Sequence, residues 1–195
     1  MAYKENIAKN KFLNLISILS ASQAFWILSF TFLTAIAAQI TIPIKPVPFT
    51  LQTMVVVLSG AFLGAKKGFY SQVIYLFAGC LGLPVFAQVP DATIGFARLF
   101  GPTGGYLLAF PAAAFITGYL TKINKSYFWV LISMFIGNSV ILLTGSIYLG
   151  TFYLKNISLA FEVGVIPFLI WEMVKVFIGV NIYFGISRKN PGTSK

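Results

Sequence analysis

The chain has 195 residues, of which 58% are hydrophobic and only 9% are charged, whereas soluble domains carry roughly a quarter charged residues. This composition excludes a water-soluble globular surface and predicts an all-α integral membrane protein, because the apolar runs lack the alternation of barrel strands. The formal net charge of +10 does not indicate binding to nucleic acid, since the basic residues cluster at the ends of apolar runs.

Six apolar runs predict a single domain of six transmembrane helices that covers residues 1–195. A basic segment of about residues 1–14 precedes the first helix, and a short basic tail of about residues 187–195 follows the last. The predicted spans, in chain order, are residues 15–39, 51–65, 69–87, 104–120, 127–152 and 164–186. The second is short for a hydrocarbon core of about 30 Å, so we expect flanking loops or a thinned bilayer to complete it.

The predicted loops alternate in their content of basic residues. An even number of spans places both termini on one side of the membrane, and that side holds Lys4, Lys9, Lys11, Lys66, Lys67, Lys122, Lys125, Arg188, Lys189 and Lys195. The opposite side holds only Lys45, Arg98 and Lys155. Because cytoplasmic loops are enriched in lysine and arginine, this asymmetry predicts that both termini are cytoplasmic.

Residues that catalyse reactions or bind metals are scarce in this sequence. It has no histidine, four acidic residues and one cysteine, Cys80. We therefore expect neither an enzyme nor a metal site or cofactor. The sequence also lacks the Gly-x-x-x-x-Gly-Lys-Ser/Thr loop that binds nucleotide phosphates, so any energy from ATP has to come from a partner protein.

The last predicted span contains two charged residues, Glu172 and Lys175, in the sequence Trp-Glu-Met-Val-Lys. Burial of either charge in a bilayer costs about 2.5 kcal/mol or more on insertion scales. Their i,i+3 spacing places both on one helix face, where they can form an ion pair. The pair either marks a binding site that is reached from outside or is a self-neutralising contact that holds helices together.

A second candidate site lies where the predicted fourth span begins. Arg98 precedes the sequence Gly-Pro-Thr-Gly-Gly-Tyr, which ends at Tyr106. The amides of Gly104 and Gly105 at a helix N-terminus, with the Arg98 guanidinium beside them, favour a carboxylate ligand. In the alternative interpretation, Arg98 reaches towards lipid headgroups and the glycines only form a turn. Asp91, in the same loop, is expected to hold Arg98 when the site is empty.

Two amide side chains lie in the predicted spans. Gln52 follows a proline-rich loop and enters the second span, and Asn138 lies in the middle of the fifth. Each amide can bind either a ligand or a neighbouring helix, and for Asn138 we favour the helix contact.

Three segments carry a specific family resemblance, which covers nearly everything after about Ala35. The first is residues 42–53, which end in Pro-Phe-Thr-Leu-Gln-Thr, and the second is residues 75–86, which end in Gly-Cys-Leu-Gly-Leu-Pro-Val-Phe. The third is residues 101–106, Gly-Pro-Thr-Gly-Gly-Tyr. Together they resemble the BioY family, the biotin-specific membrane components of energy-coupling factor (ECF) transporters. The resemblance implies six membrane helices, an outward-facing biotin pocket beneath the outer loops, a transmembrane coupling protein, two ATPase subunits and the cell membrane of a prokaryote.

The resemblance also assigns roles to residues. An acidic residue and a lysine that help bind ligand on the family's last helix match Glu172 and Lys175, although the family usually has aspartate at position 172. An arginine before the Gly-Pro-Thr-Gly-Gly-Tyr motif matches Arg98. The family docks to its coupling protein through Ala-x-x-x-Ala on the first helix, and this chain has no strict copy. The small residues that can substitute are Thr31 with Ala35, and Thr34 with Ala38.

The residues expected to bind biotin are polar or aromatic: Arg98, Glu172, Lys175, Gln52, Tyr106, Phe49, Asn138, Gly104 and Gly105. We expect the biotin carboxylate near Arg98 and the two glycine amides, and the ureido group near Glu172 with Gln52 or Asn138. The aromatic residues would contact the ring. Lys175 either balances Glu172 or binds the carboxylate itself, which would reverse the ligand in the pocket.

Other functions are compatible with the same features. One is a carrier of another vitamin on the same scaffold. Another is a solitary secondary transporter driven by an ion gradient, with Glu172 as the proton carrier. An intramembrane enzyme is disfavoured, because the chain lacks histidine and a pair of carboxylates within its spans.

Overall fold

The computed structural model of the chain describes residues 22–89 and 93–189. Within these residues the chain forms seven α-helices: α1 (Gln23–Gln39), α2 (Gln52–Leu63), α3 (Ala65–Cys80), α4 (Gly104–Ile123), α5 (Tyr127–Tyr148), α6 (Ile157–Gly164) and α7 (Leu169–Lys189). Two short strands, β1 (Thr41–Ile42) and β2 (Phe49–Thr50), form an antiparallel hairpin between α1 and α2. The remaining elements are 3-10 turns at Gly95–Phe100 and Ile166–Phe168 and a π-helical turn at Leu149–Tyr153.

The length and composition of the helices suit a membrane. Three helical stretches are long and apolar enough to cross a bilayer, namely Gly104–Ile123, Tyr127–Tyr153 and Ile157–Ser187, and α1 and α2 are shorter apolar helices. Large apolar side chains such as Phe32, Phe128 and Phe177 are exposed on the surface, which matches contact with lipid tails. The predicted all-α membrane protein is thus confirmed, while six spans and cytoplasmic termini stay predictions. Residues 1–21 and 190–195, which hold most of the basic segment and tail, lie outside the described residues.

The connection between the second and third predicted spans is one residue long, whereas the predicted turn had three. Only Gly64 separates α2 from α3, and its φ of 78° lies in the left-handed region that glycine adopts without strain. The Gly64 amide donates to the carbonyl oxygen of Gly60 at 2.8 Å, which closes the end of α2. Lys66 and Lys67, expected in a loop, therefore lie in the first turn of α3.

Helix α4 lies in the middle of the bundle and packs against α2, α3 and α5. Close approach to α2 depends on the absence of a side chain at Gly60. A Cβ atom at that position would lie 2.2 Å from the carbonyl oxygen of Ala114 in α4. Small residues therefore let the two backbones touch, as is common between membrane helices.

Two predicted boundaries were wrong. The third span was predicted to reach Ala87, but α3 ends at Cys80, and the following residues form turns that bring Phe86 into the interior. The last span was predicted to begin at Gly164, but Gly164 ends the unpredicted short helix α6 and α7 begins at Leu169. Pro167 lies between them, and because proline lacks an N–H donor and restricts φ, it interrupts a continuous helix.

Candidate ligand-binding site

A small cavity, which we call the inner cavity, lies between the helices, the loop that precedes β2 and the loop that follows α3. Its polar lining includes Gln52 and Thr53 of α2, Arg98 of the 3-10 turn, Tyr106 of α4 and Glu172 of α7. Its apolar lining includes Phe86, Phe110 and Phe168. The volume is about 50 Å³, which is space for only about four water molecules at 10–15 Å³ each.

Glu172 and Lys175 form an ion pair at the wall of this cavity, with 4% and 2% of their surfaces exposed. Lys175 Nζ donates to Oε1 of Glu172, to Oγ1 of Thr53 at 2.6 Å and to the carbonyl oxygen of Thr50 at 3.0 Å. These three acceptors use all three N–H donors of the ammonium group. Glu172 lines the cavity, whereas Lys175 lies behind it.

The other oxygen of Glu172 joins two further helices. Its Oε2 accepts a hydrogen bond from Thr53 Oγ1 at 2.9 Å and one from Asn138 Nδ2 at 2.6 Å. Asn138 is 3% exposed and does not line the cavity, but it contacts Glu172, which does. The favoured interpretation of Asn138 as a contact between helices therefore agrees with the structure, and its partner is the candidate site residue itself.

Gln52 lies in the cavity wall and is held in a chain of hydrogen bonds. Its Nε2 donates to the hydroxyl of Tyr75, which in turn donates to the carbonyl oxygen of Val85 at 3.0 Å. Its Oε1 accepts from Thr50 Oγ1 at 3.2 Å. Gln52 thus faces the cavity and also contacts a neighbouring helix, while its binding of a ligand stays a prediction.

Arg98 is 6% exposed, lines the cavity and donates from Nη2 to the carbonyl oxygen of Ala87 at 3.0 Å. Its Nε has no hydrogen-bond partner among the described residues, and neither has Oγ1 of the adjacent Thr103. Burial lowers the pKa of the Arg98 guanidinium from its usual value, yet arginine stays charged in proteins. Buried donors without partners are costly, so this corner of the cavity has unused capacity for a ligand. Asp91, the expected partner of Arg98, lies outside the described residues.

Gly104 and Gly105 do not line the inner cavity, contrary to the predicted anion site. The amide of Gly104 already donates to the carbonyl oxygen of Gly101 at 3.0 Å. A Cβ atom at position 104 would lie 1.8 Å from the carbonyl oxygen of Leu99, and one at position 105 would lie 2.2 Å from Cβ of Tyr148. Neither position has room for a side chain, so the two glycines allow close packing at the start of α4.

The two predicted aromatic residues occupy different positions. Tyr106 lines the cavity, and its hydroxyl lies 3.0 Å from both Ser146 Oγ and the carbonyl oxygen of Gly164, to which it donates. Phe49 does not line the cavity but stacks on Phe168, which does, with ring centroids 4.2 Å apart. This stack connects the β-hairpin to the turn before α7.

The structure buries one of the two residue pairs that were predicted to dock the coupling protein on the first helix. Thr34 and Ala38 are fully buried, and the Thr34 hydroxyl donates to the carbonyl oxygen of Phe30 within α1. Thr31 is partly buried and donates to the carbonyl oxygen of Ser71 at 2.8 Å, while Ala35 packs beside the core. Thr31 and Thr34 face α3, and the buried pair Thr34 and Ala38 cannot meet a partner in this conformation.

Several residues at the site did not emerge as candidates from sequence reasoning. Tyr75, Phe86 and Thr103 lie inside the segments that carried the family resemblance, so motif membership was the signal that could have found them. Phe168 has no comparable signal, because its position in the cavity depends on the unpredicted break between α6 and α7.

Comparisons with known proteins agree on one family. The sequence model of the BioY family matches residues 8–191. The "Biotin transporter BioY" of Thermotoga maritima is 39% identical over 159 residues, which are 82% of this chain and 92% of the relative. The "Probable biotin transporter BioY" of Pyrococcus horikoshii is 40% identical over 164 residues, or 84% and 95% of the two chains. These relatives carry the names of transporters, in agreement with the expectation that the chain is not an enzyme.

The fold also matches a solved structure. A crystal structure of the S-component for biotin from an ECF-type ABC transporter aligns with a TM-score of 0.77. The alignment covers 85% of this chain and 90% of the other at 24% identity. The likeness therefore concerns the overall fold.

Proposed function

The chain belongs to the BioY family, and from that membership we propose that it is the substrate-binding component of a biotin transporter. The observation that carries the proposal is the Glu172 carboxylate, held by Lys175, Thr53 and Asn138 at the wall of a cavity that also contains Arg98. Buried charges inside a membrane protein generally mark a ligand or ion pathway.

The contacts of Lys175 support one orientation of biotin. All three donors of its ammonium group are taken by protein acceptors, and the side chain does not line the cavity. Lys175 therefore balances the charge of Glu172, and the ligand carboxylate belongs at Arg98, whose Nε has no protein partner. An anion there gains charge-assisted hydrogen bonds.

The opposite end of biotin carries a ureido group with two N–H donors and one carbonyl oxygen. Glu172 is the natural acceptor, because each carboxylate oxygen can accept about two hydrogen bonds and Oε1 has one described donor, Lys175. Gln52 lies in the same wall and supplies a polar amide. The phenyl rings of Phe86 and Phe168 provide apolar contacts for the sulfur-containing ring.

A molecule the size of biotin does not fit into about 50 Å³, so the cavity has to widen when it binds. The stack between Phe49 and Phe168 joins two segments that cover the cavity. Separation of these rings, or rotation of Phe86, would enlarge the space without breaking a helix. Binding is therefore expected to depend on movement of the covering loops rather than of the bundle.

The arrangement of the ends of the helices supports the predicted topology with six spans. The junction at Gly64 lies against Gly118 near the end of α4, where a Cβ atom would be 2.6 Å from the Gly64 carbonyl carbon. At the other end of α4, Tyr148 donates to the carbonyl oxygen of Leu99. The basic pairs at Lys66 and Lys67 and at Lys122 and Lys125 thus belong to one end of the bundle, which we assign to the cytoplasm of a prokaryotic cell.

We assign the energy-coupling steps to partner proteins. The sequence has no phosphate-binding loop, so separate ATPase subunits have to hydrolyse ATP. A separate transmembrane coupling protein has to connect them to this chain. Because Thr34 and Ala38 are buried whereas Thr31 and Ala35 are only partly buried, the pair Thr31 and Ala35 stays the candidate for docking the coupling protein.

Equilibrium binding of labelled biotin to the purified chain tests the proposal. We expect saturable binding that competes with unlabelled biotin, and a Glu172→Gln variant should lose most of it. Glu162→Gln is the matched control, because Glu162 is exposed on α6 and lies outside the cavity. Absence of biotin binding, with binding of another vitamin in the same assay, would replace biotin by that vitamin as the ligand of this scaffold.

A further inference from the structure

Tyr75 of α3 is fully buried behind the wall of the inner cavity, which it does not line. Its ring meets the ring of Phe86 edge to face, with centroids 5.5 Å apart, and lies nearly parallel to the ring of Phe110 at 6.2 Å. Both phenylalanines line the cavity. The hydroxyl group of Tyr75 bonds two segments at once, through Gln52 and Val85. The roles derived so far leave this buried hydroxyl group unused.

The direction of each hydrogen bond at Tyr75 follows from its partners. The carbonyl oxygen of Val85 can only accept, so it receives the single O–H of Tyr75 at 3.0 Å. The phenol oxygen is then left to accept, and Gln52 has to turn its amino group, Nε2, towards it. The Val85 carbonyl therefore determines, through one tyrosine, which way the amide of Gln52 faces.

Thr50 holds the same orientation from the other side of the amide. Its Oγ1 accepts from the backbone N–H of Gln52 at 3.4 Å, and its own O–H donates to Oε1 of Gln52 at 3.2 Å. Two separate contacts thus agree that Nε2 faces Tyr75 and that Oε1 faces Thr50. Beyond these contacts, the described residues leave one lone pair on Oε1 and one N–H on Nε2 without a partner.

The free edge of this amide is complementary to one edge of a cyclic ureido group. Such an edge presents one N–H beside one C=O, and Gln52 presents one lone pair of a C=O beside one N–H. The two edges can pair through two hydrogen bonds that run in opposite directions. Thr53, the next residue, donates to Oε2 of Glu172 at 2.9 Å, so both side chains belong to the same part of the wall. With the amide reversed, a ureido group held at Glu172 would meet donor with donor and acceptor with acceptor.

We propose that Tyr75 is a positioning residue for ligand specificity, because it holds the Gln52 amide in the orientation that pairs with a ureido group. This inference rests on the proposed function, in which the ureido group lies at Glu172. Tyr75 itself does not touch the ligand. Its hydroxyl group favours ligands that carry a cyclic urea over those in which the urea oxygen is replaced.

Ligands that differ in one feature of the ring system test this role. 2-Thiobiotin carries sulfur, a weaker acceptor, in place of the ureido oxygen, whereas desthiobiotin keeps the ureido group and lacks the ring sulfur. In Tyr75→Phe the amino group of Gln52 loses its acceptor, and the amide is free to rotate. We expect the preference for biotin over 2-thiobiotin to fall by about threefold to tenfold, the value of one neutral hydrogen bond. The preference for biotin over desthiobiotin should stay within about twofold of the wild type, since one hydrogen bond is lost for both.

Two further variants separate this role from general damage to the fold. Tyr183→Phe is the matched control, because Tyr183 of α7 is also buried, at 8% exposed, and does not line the inner cavity. It should keep the wild-type ratio of affinities for biotin and 2-thiobiotin. Gln52→Met removes the amide and should lower that ratio as much as Tyr75→Phe does. Adding Tyr75→Phe to Gln52→Met should then leave the ratio unchanged, because the amide that Tyr75 positions is already gone.

Competition against labelled biotin, corrected for the number of binding sites, measures these ratios. Equal weakening of biotin and 2-thiobiotin in Tyr75→Phe would show that Tyr75 only supports the loop after α3, and would overturn the inference while the proposed function stands. If Tyr75→Phe does not fold, an unchanged ratio in Gln52→Met overturns it in the same way. If biotin fails to bind the wild type, the proposed function fails and the inference falls with it.

Discussion

Asn138 Nδ2 donates a hydrogen bond of 2.6 Å to Oε2 of Glu172 and so joins α5 to α7 inside the bundle. Thr53 of α2 donates to the same oxygen, and the ammonium group of Lys175 donates to Oε1 and balances the charge of the carboxylate. Three helices therefore converge on one carboxylate that is 4% exposed. A buried charge held in this way is stable only while its partners stay in place.

Removal of Lys175 should damage both folding and ligand binding. In Lys175→Ala, Glu172 loses its counter-charge and is left buried with two neutral donors. Breaking a buried pair on one side costs about 3–5 kcal/mol. Thermal unfolding in detergent and biotin binding measure the two effects.

A double variant separates charge balance from ligand recognition. Glu172→Gln with Lys175→Met removes both charges and keeps side chains of similar volume, so stability should recover most of the loss. Biotin affinity should not recover, because glutamine replaces a charged carboxylate, which accepts at both oxygens, by a neutral amide that accepts at only one. A double variant that folds well and binds biotin as tightly as the wild type would make the pair purely structural.

Arg98 should discriminate between biotin and its uncharged derivatives. If its guanidinium holds the ligand carboxylate, biotin methyl ester should bind the wild type more weakly than biotin, by roughly 1.5–3 kcal/mol for a lost charge-assisted hydrogen bond. Arg98→Gln should erase most of that preference in competition binding. An unchanged preference for the acid in Arg98→Gln would move the carboxylate elsewhere, to Lys175, and reverse the ligand.

Gly104 should matter for packing rather than for ligand contact. Gly104→Ala would bring Cβ within 1.8 Å of the carbonyl oxygen of Leu99, and overpacking of this kind costs about 1–3 kcal/mol. Gly185→Ala is the matched control, because its added Cβ has no atom of another part of the structure within 4 Å. The unfolding temperature should fall in the first variant alone. Equal stabilities, with weaker biotin binding only in Gly104→Ala, would restore the predicted anion site.

The chain should bind biotin without ATPases but should not accumulate it alone. Deletion of the partner ATPases is expected to leave equilibrium binding unchanged and to slow uptake, since the chain has no nucleotide loop. Uptake of labelled biotin into liposomes by the purified chain, driven by a proton gradient, would instead favour a solitary secondary transporter with Glu172 as the proton carrier.

The sequence alone determined the class of the protein and the chemistry of its main site residues. Hydropathy is a local property, so it predicted the helices and a membrane as their solvent. The spacing of Glu172 and Lys175 predicted their pairing because residues three apart share a helix face. The segment before Tyr106 pointed to Arg98, which does line the cavity.

Tertiary structure alone decided which of these residues face the cavity. Spacing shows that Thr34 and Ala38 share a face of α1, but only the packing of α1 in the bundle, against α2 and α3, buries that face. In the same way, Lys175 is withdrawn from the cavity because Thr50 and Thr53, more than a hundred residues earlier in the chain, take its remaining donors. The rotation of each helix in a bundle depends on contacts between distant segments, and no local pattern in the sequence encodes those contacts.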